Sequence, residues 1–372
     1  MTPDTIYLDY NATAPTRPEA KAAVAETLDM GGNPSSVHSA GRKARNLLEK
    51  ARATVADAVG ASRESVVFTS GATESNLTAL QGSKATRLIV CAVEHESILT
   101  PTAHSELPAD IVPVNSQGVI DLSALERLLA KNSEGALVSL MLANNETGVI
   151  QPVAEAARLA HRAGARLHCD AVQALGKIPL DMSDLGVDSL SLSAHKLGGP
   201  QGVGALVVSK PELTEPLMTG GGQERNHRAG TENTAGIAGF AAAIEATAPN
   251  WETIAGWRDN WEARVQAVAP EAVVFSQGAP RLPNTSTIAM PGVPGDSQVM
   301  AMDLEGICIS AGSACSSGKV KTSHVLDALG AGDRAGEAIR VSLGWDSQES
   351  DLEGLFKAWV ALYTRTRHRK AG

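Results

Sequence analysis

Between Val66 and Val208 the sequence repeats one pattern: a short apolar run, a polar or glycine-bearing turn, then an amphipathic stretch. The apolar runs are Val66–Thr69, Leu88–Val93, Ile111–Val114, Ala136–Leu142, Arg166–Asp170, Ser189–Ser193 and Ala205–Val208. Helical spacing fills Glu74–Leu80, Ser97–His104, Leu122–Lys131 and Val153–Ala163. Strands that are apolar nearly throughout need cover on both faces, and helical crossovers supply it while joining parallel neighbours. The pattern predicts an α/β fold with a doubly wound large domain. Its mostly parallel seven-stranded sheet is covered by helices, and ligands belong at the C-terminal ends of the strands.

The flanks read differently. Tyr7–Pro15 is a short extended entry, followed by helical spacing over Pro18–Met30 and Ser39–Val59. Gly220–Gly230 is a long polar connection, and a connection of this length is usually functional or disordered. Helices are expected over Asn233–Ala248 and Trp251–Val268. The remainder mixes strand and helix candidates in α+β order: Thr287–Met290, Asp296–Glu305, Ile307–Ser310, Ser323–Leu329, Ile339–Leu343 and Gln348–Tyr363. A chain of 372 residues accommodates two domains. The expected division is a large cofactor-binding domain over 15–250 and a smaller α+β domain built from 1–14 and 251–372.

A net charge of −9 leaves no cationic surplus for nucleic acid or anionic membranes, so neither is an expected partner. The basic stretch Arg365–Lys370 is the exception and reads as a frayed, solvated tail. The first ten residues lack the basic and apolar regions of a signal peptide, and no apolar run approaches membrane-span length. The four cysteines, Cys91, Cys169, Cys308 and Cys315, include no CxxC pair and match neither a zinc site nor a disulfide framework. No metal is expected, and a reducing, cytoplasmic setting is. Cys91, Cys308 and Cys169 read as core residues.

Several strand ends carry polar residues suited to one kind of chemistry. Lys196 follows the Ser189–Ser193 strand and precedes a Gly/Pro turn. In a dry cleft its ammonium is destabilised, and the neutral amine can form a Schiff base with an aldehyde cofactor; in water it is a turn lysine. Ser193 and His195 can present donors to a phosphate. Gly71-Ala-Thr73 opens a helix after a strand, either as an amide cradle for phosphate or as a plain cap. Asp170 ends a buried strand, either as a helix cap or as the carboxylate that keeps a pyridine ring protonated, with Gln173 in reach of the ring hydroxyl. His95, just past another strand, is either structural or a ring-stacking acid–base group. Asn145 stands at a fourth strand end. Cys315 sits in the Gly/Ser-rich run Ser310–Gly318, either as a buried thiol, the usual place of a free cysteine, or as an accessible nucleophile. Arg340, within an alternating strand pattern, either forms an ion pair or binds a carboxylate bidentately.

Seven motifs in order resemble the cysteine desulfurases of the NifS/IscS type, within the class-V aminotransferase-like, pyridoxal-phosphate-dependent enzymes. They are Asn33-Pro-Ser-Ser-Val-His38, Thr69-Ser-Gly-Ala-Thr-Glu-Ser-Asn76, Asn144-Asn-Glu-Thr-Gly148, His168-Cys-Asp-Ala-Val-Gln173, Ser193-Ala-His-Lys196, Arg228-Ala-Gly-Thr-Glu-Asn233 and Gly312-Ser-Ala-Cys315. The resemblance runs from Tyr7 to about Trp345 and implies the PLP-dependent transferase fold. It implies that Lys196 holds pyridoxal 5'-phosphate, Asp170 faces its ring nitrogen and Gln173 its hydroxyl, and His95 stacks on the ring. Thr73, Ser193, His195 and the Ala72 backbone would bind the phosphate. Thr231 would reach the partner subunit's site in a homodimer. Asn145 and Arg340 would hold L-cysteine, with Asn11 assisting. Cys315 would take the sulfur as a persulfide, leaving L-alanine, and pass it to an acceptor such as an iron–sulfur scaffold protein.

The sequence departs from the family in three places. Lys319-Val-Lys-Thr322 stands where long-loop members commonly carry a more acidic, proline-bearing stretch. No extended tail follows the last helix, and Tyr10 replaces a residue that is often polar. The first two bear on the acceptor, not on desulfuration. A selenocysteine lyase on the same fold is the nearest alternative. An aminotransferase would have no use for Cys315, and a non-catalytic assembly subunit would have none for Lys196.

Overall fold

Seven strands build the large sheet, and their order in space is not their order in sequence. The computed structural model describes residues 5–371 apart from 132, 247 and 313–321. The chain enters through β1 (Ile6–Tyr7), α1 (Pro18–Met30) and α2 (Ser39–Asp57). Then follow β2 (Val66–Thr69), α3 (Ala72–Gln81), β3 (Leu88–Cys91), α4 (Glu96–Ala103), β4 (Ala109–Val112), α5 (Leu122–Leu129), β5 (Leu137–Ser139), α6 (Val153–Arg162), β6 (Arg166–Asp170), α7 (Met182–Leu185), β7 (Ser189–Ser193) and β8 (Gly204–Val208). The sheet order is β2-β8-β7-β6-β5-β3-β4. β8 runs antiparallel to both its neighbours, and the others share one direction.

The strand interiors explain the sheet's position. β2, β3, β5, β7 and β8 are buried at every residue, so helices cover both faces. Leu167, Leu190 and Leu192 are fully buried, each contributing about 1.5–3 kcal/mol relative to exposure. In α2 the buried Ala44, Leu48, Ala51 and Val55 recur at helical spacing, which turns one stripe toward the sheet. Cys91 and Cys169 belong to this core, and burial pushes both thiols up from their ordinary values.

The chain continues through α8 (Thr234–Glu245), α9 (Trp251–Val268), β9 (Val273–Val274), β10 (Thr285–Ala289), α10 (Gly295–Leu304), β11 (Ile307–Cys308), α11 (His324–Ala328), β12 (Ala338–Ser342) and α12 (Glu349–Ala371). β12, β10 and β9 form an antiparallel sheet, and β1 pairs parallel with β11. A second core, with the fully buried Trp359 and the nearly buried Trp261, gathers Leu8 and residues from Ile254 to Leu362. Val325 and Leu329 instead pack into the core of the large sheet.

Two expectations are corrected. Arg365–Lys370 is not a frayed tail, because α12 continues to Ala371. The Arg367 guanidinium pairs with Glu271 and lies over the Tyr363 ring. Cys308 is half-buried rather than core, since the two-residue β11 pairs with β1 alone.

The polar connection 220–230 is anchored. Buried Arg52 holds Glu224 at 2.7 and 2.9 Å, and the Phe68 N–H adds a bond at 2.8 Å to the same carboxylate. These bonds sustain left-handed backbone at Glu224, Arg225 and Asn226. Further along, Arg228 pairs with Glu74 in the first turn of α3, at 3.0 Å.

Candidate active site

The strand ends converge on a cavity of about 600 Å3. Ala72 and Thr73 follow β2, His95 follows β3, Asn145 follows β5, Asp170 ends β6, and Ser193 ends β7 with His195 and Lys196 just beyond. Gln173, Asn11 and Arg340 complete the predicted set that lines it. Thr231 does not: it is exposed on the connection after β8. Cys315 lies outside the described residues.

One end of the cavity is built for an anion. α3 begins at Ala72 after Gly71, which has no side chain to cap the first amides. Gly71 has φ +153°, and the space where a Cβ would stand is open. Gly204 lets β8 come close, since a Cβ there would sit 2.8 Å from the Gly71 Cα. Thr73, Ser193 and His195 surround the same end. Burial, with the Lys196 and Lys177 ammonium groups adding to it, holds the His195 imidazole down to about 4. Its Nδ1 lies 3.1 Å from the Thr13 hydroxyl.

Lys196 Nζ donates to the carbonyls of Asn11 at 2.5 Å and Ala12 at 2.8 Å. The amine is thus aimed by the N-terminal segment. Asn11 is buried, and its side chain is engaged with Asn145 O, Thr285 and Asn284; its carbonyl also accepts from Gln173 Nε2 at 2.9 Å.

Asp170 keeps both of its sequence readings. Oδ1 accepts the Val172 N–H at 3.0 Å, a turn cap, while Oδ2 accepts Asn76 Nδ2 at 2.8 Å at the cavity wall. Arg340 also shows the structural alternative: its NH2 pairs with Asp9 at 2.7 Å. Its Nε is buried with no partner among the described residues.

Asn76 was legible only as part of a motif, yet it links four groups. Its Nδ2 donates to Asp170 and, at 2.9 Å, to Ser97 Oγ. The Ser97 hydroxyl is therefore free to donate to His95 Nδ1 at 2.8 Å, and the Ser97 N–H reaches the same nitrogen at 3.1 Å. Neutral His95 then carries its proton on Nε2. On the other side Asn76 Oδ1 faces His168 Nε2 at 3.1 Å. A fully buried asparagine on a core-facing helix position must be paired, and that is the signal that points to it.

Three more residues escaped the sequence reading. His324 lines the cavity mouth and lies 2.9 Å from the Glu94 carbonyl. Burial pushes Glu94 up to about 8, with the neighbouring Asp170 adding to the rise. Lys177 is buried against Gln173.

Burial also holds His168 down from 6.5 to about 3. Between those values the unfolded chain takes a proton that the folded chain refuses, so stability present above pH 6.5 is lost as pH falls toward 3. The expected loss from this residue is on the order of 2 kcal/mol at pH 5. Thermal midpoints taken from pH 7 to 4.5 should fall, and less steeply in His168→Gln; equal slopes would remove His168 as a cause.

Residues 6–355 match the model of the aminotransferase class-V family. A cysteine desulfurase of Cereibacter sphaeroides is 41% identical over 375 residues, covering 97% of this chain and 96% of that protein. The solved NifS-like protein of Rickettsia africae superposes with a TM-score of 0.90 at 36% identity, covering 97% of this chain and 99% of the other. A solved structure of SspA in complex with cysteine has a TM-score of 0.79 at 28% identity, covering 91% and 99%. With the fold, the strand-end cavity and these likenesses together, the chain belongs to the class-V aminotransferase family and, within it, to the cysteine desulfurases of the NifS/IscS type.

Proposed function

We propose that this enzyme takes sulfur from L-cysteine, releases L-alanine and carries the sulfur as a persulfide on Cys315, using pyridoxal 5'-phosphate. The observation that carries the reading is the joining, around one cavity, of an amine (Lys196), a carboxylate (Asp170) and an uncapped helix start with Thr73, Ser193 and His195. That donor set fits an aldehyde, a ring nitrogen and a phosphate on one molecule. The cofactor supplies an electron sink for the carbon bearing the amino group.

The chain's own residues do the rest. Lys196 Nζ would hold the aldehyde and, once released, take the proton from the substrate's α-carbon. Asp170, braced by Asn76, would keep the ring nitrogen protonated, and Gln173 would face the ring hydroxyl. Thr73, Ser193, His195 and the Ala72 amide would bind the phosphate. His95 would stack on the ring and move protons through Nε2. Asn145 and Arg340 would orient the substrate carboxylate; Asn11 supports Asn145, its side-chain Nδ2 donating to the Asn145 carbonyl at 3.1 Å. The Cys315 thiolate attacks the substrate sulfur: an S–S bond forms as the C–S bond breaks, and the carbon keeps the electron pair and gains a proton. One thiol hydrogen ends on alanine's methyl group and one on the persulfide, so no external oxidant or reductant is needed.

The exposed Thr231 suits a homodimer in which it reaches the partner's phosphate. The relative solved with cysteine supports the substrate. An iron–sulfur scaffold is the proposed acceptor class, and a cytoplasmic setting would keep Cys315 reduced. Among the described residues no helix is long and apolar enough to cross a membrane.

The test is alanine and persulfide formation from L-cysteine, with the cofactor-loaded natural chain beside Cys315→Ala. Alanine from the natural chain alone, with the persulfide on Cys315, is expected, with the variant at least about 100-fold slower. Equal alanine from both would replace this reading with a lyase that eliminates sulfur unaided.

A further inference from the structure

Lys177 lies four residues past Gln173 in the turns that follow β6 and is 6% exposed. Its Nζ donates to Gln173 Oε1 at 2.8 Å and to the Gln173 main-chain carbonyl at 3.1 Å. Among the described residues no carboxylate pairs with it. Both partners thus belong to one residue that lines the cavity.

The chemistry of the two bonds to the Gln173 side chain fixes the amide. An ammonium only donates, so Oε1 must face Lys177. A carbonyl only accepts, so Nε2 must face Asn11 O, 2.9 Å away. Nε2 has a second hydrogen, and with Oε1 turned away it is what Gln173 has left for the cavity. Were Lys177 absent, the amide would be held at one end only.

We infer that Lys177 is a positioning residue: by occupying Gln173 Oε1 it makes Gln173 present an N–H donor, rather than an acceptor, to a ligand oxygen in the cavity. The inference rests on the pyridoxal phosphate reading, under which that oxygen is the ring hydroxyl. A donor facing it stabilises the ionised oxygen. Lys196 and Arg340 are the charged groups that repel the Lys177 ammonium, and Tyr10 and Arg17 share with it a neighbouring cavity of about 260 Å3. Burial, with those two cations adding to it, holds the ammonium down to about 7. Charged or neutral, the amine keeps N–H donors, so the arrangement persists on both sides of that value.

The experiment uses the full chain reconstituted with pyridoxal phosphate, as the natural sequence, Lys177→Met, Lys177→Arg, Gln173→Ala and the Lys177→Met/Gln173→Ala double variant. Two quantities are read: the cofactor dissociation constant, and the pH midpoint of its long-wavelength absorbance band. Lys177→Met should raise the midpoint by about one unit and weaken binding about tenfold. In the Gln173→Ala background the same change should move binding by less than about twofold. Lys177→Arg keeps a donor-only group, has the adjoining cavity to occupy, and should hold the natural midpoint. A natural midpoint in Lys177→Met, an undiminished shift in the Gln173→Ala background, or an arginine that shifts as far as methionine would each overturn the inference. If the natural chain develops no absorbance band with pyridoxal phosphate, the cofactor reading itself has failed, and this inference falls with it.

Discussion

Lys196→Ala should lower alanine formation from L-cysteine by roughly ten-thousand-fold or more, because in the proposed mechanism one amine both holds the cofactor and moves the α-proton. The fold should tolerate the change. Asn11 O keeps its bond from Gln173 Nε2, and Ala12 O is left facing the cavity, where water can reach it. The checks are the steady-state rate and the cofactor retained after gel filtration. A variant with a tenth of the natural rate would exclude Lys196 from the chemistry.

Asp170→Asn is the second large effect, and it separates the two readings that the structure leaves standing. The amide oxygen can still accept the Val172 N–H, so the turn cap survives. What is lost is the negative charge and, with the amide oxygen on Val172, the bond from Asn76, whose Nδ2 donor now faces the new NH2. If Asp170 serves the ring nitrogen, turnover should fall about 1,000-fold, in line with removing one preorganised electrostatic partner from a closed site. Natural turnover with a natural thermal midpoint would make Asp170 a cap and nothing more.

Much of this was legible in the residues. The seven apolar runs mark the seven strands because a strand covered on both faces has no reason to alternate, and β2, β6 and β7 match the expected bounds residue for residue. The other ends drift by a few residues, as at β5, where Ala136 and Leu140–Leu142 are buried outside the ladder, so hydrophobicity alone overruns it. The two-residue β9 and the single-turn α7 are too short to leave a period. In the site, residues that end strands were visible because strand ends are. Asn76, Ser97 and Lys177 were not: each acts through a neighbour brought close by folding. The helical course of Arg365–Lys370 was hidden by its charge, since its pairing with Glu271 lies far away in sequence.

The amine of Lys196 is held by the carbonyl of Asn11, and Asn11 is held by strands made much later. Ile6 and Tyr7 lie beside Ile307 and Cys308, Asp9 bridges to Ser342, and the Asn11 N–H bonds the Ser342 hydroxyl. On the ribosome, residues 5–11 emerge long before those partners exist. The large sheet, whose strands end at Val208, has its contacts available first; the segment that aims Lys196 must wait unpaired until β12 is complete. By order of synthesis the proposed cofactor pocket is completed only after β12 is made, so a chain translated short of Ser342 lacks the contacts that aim Lys196.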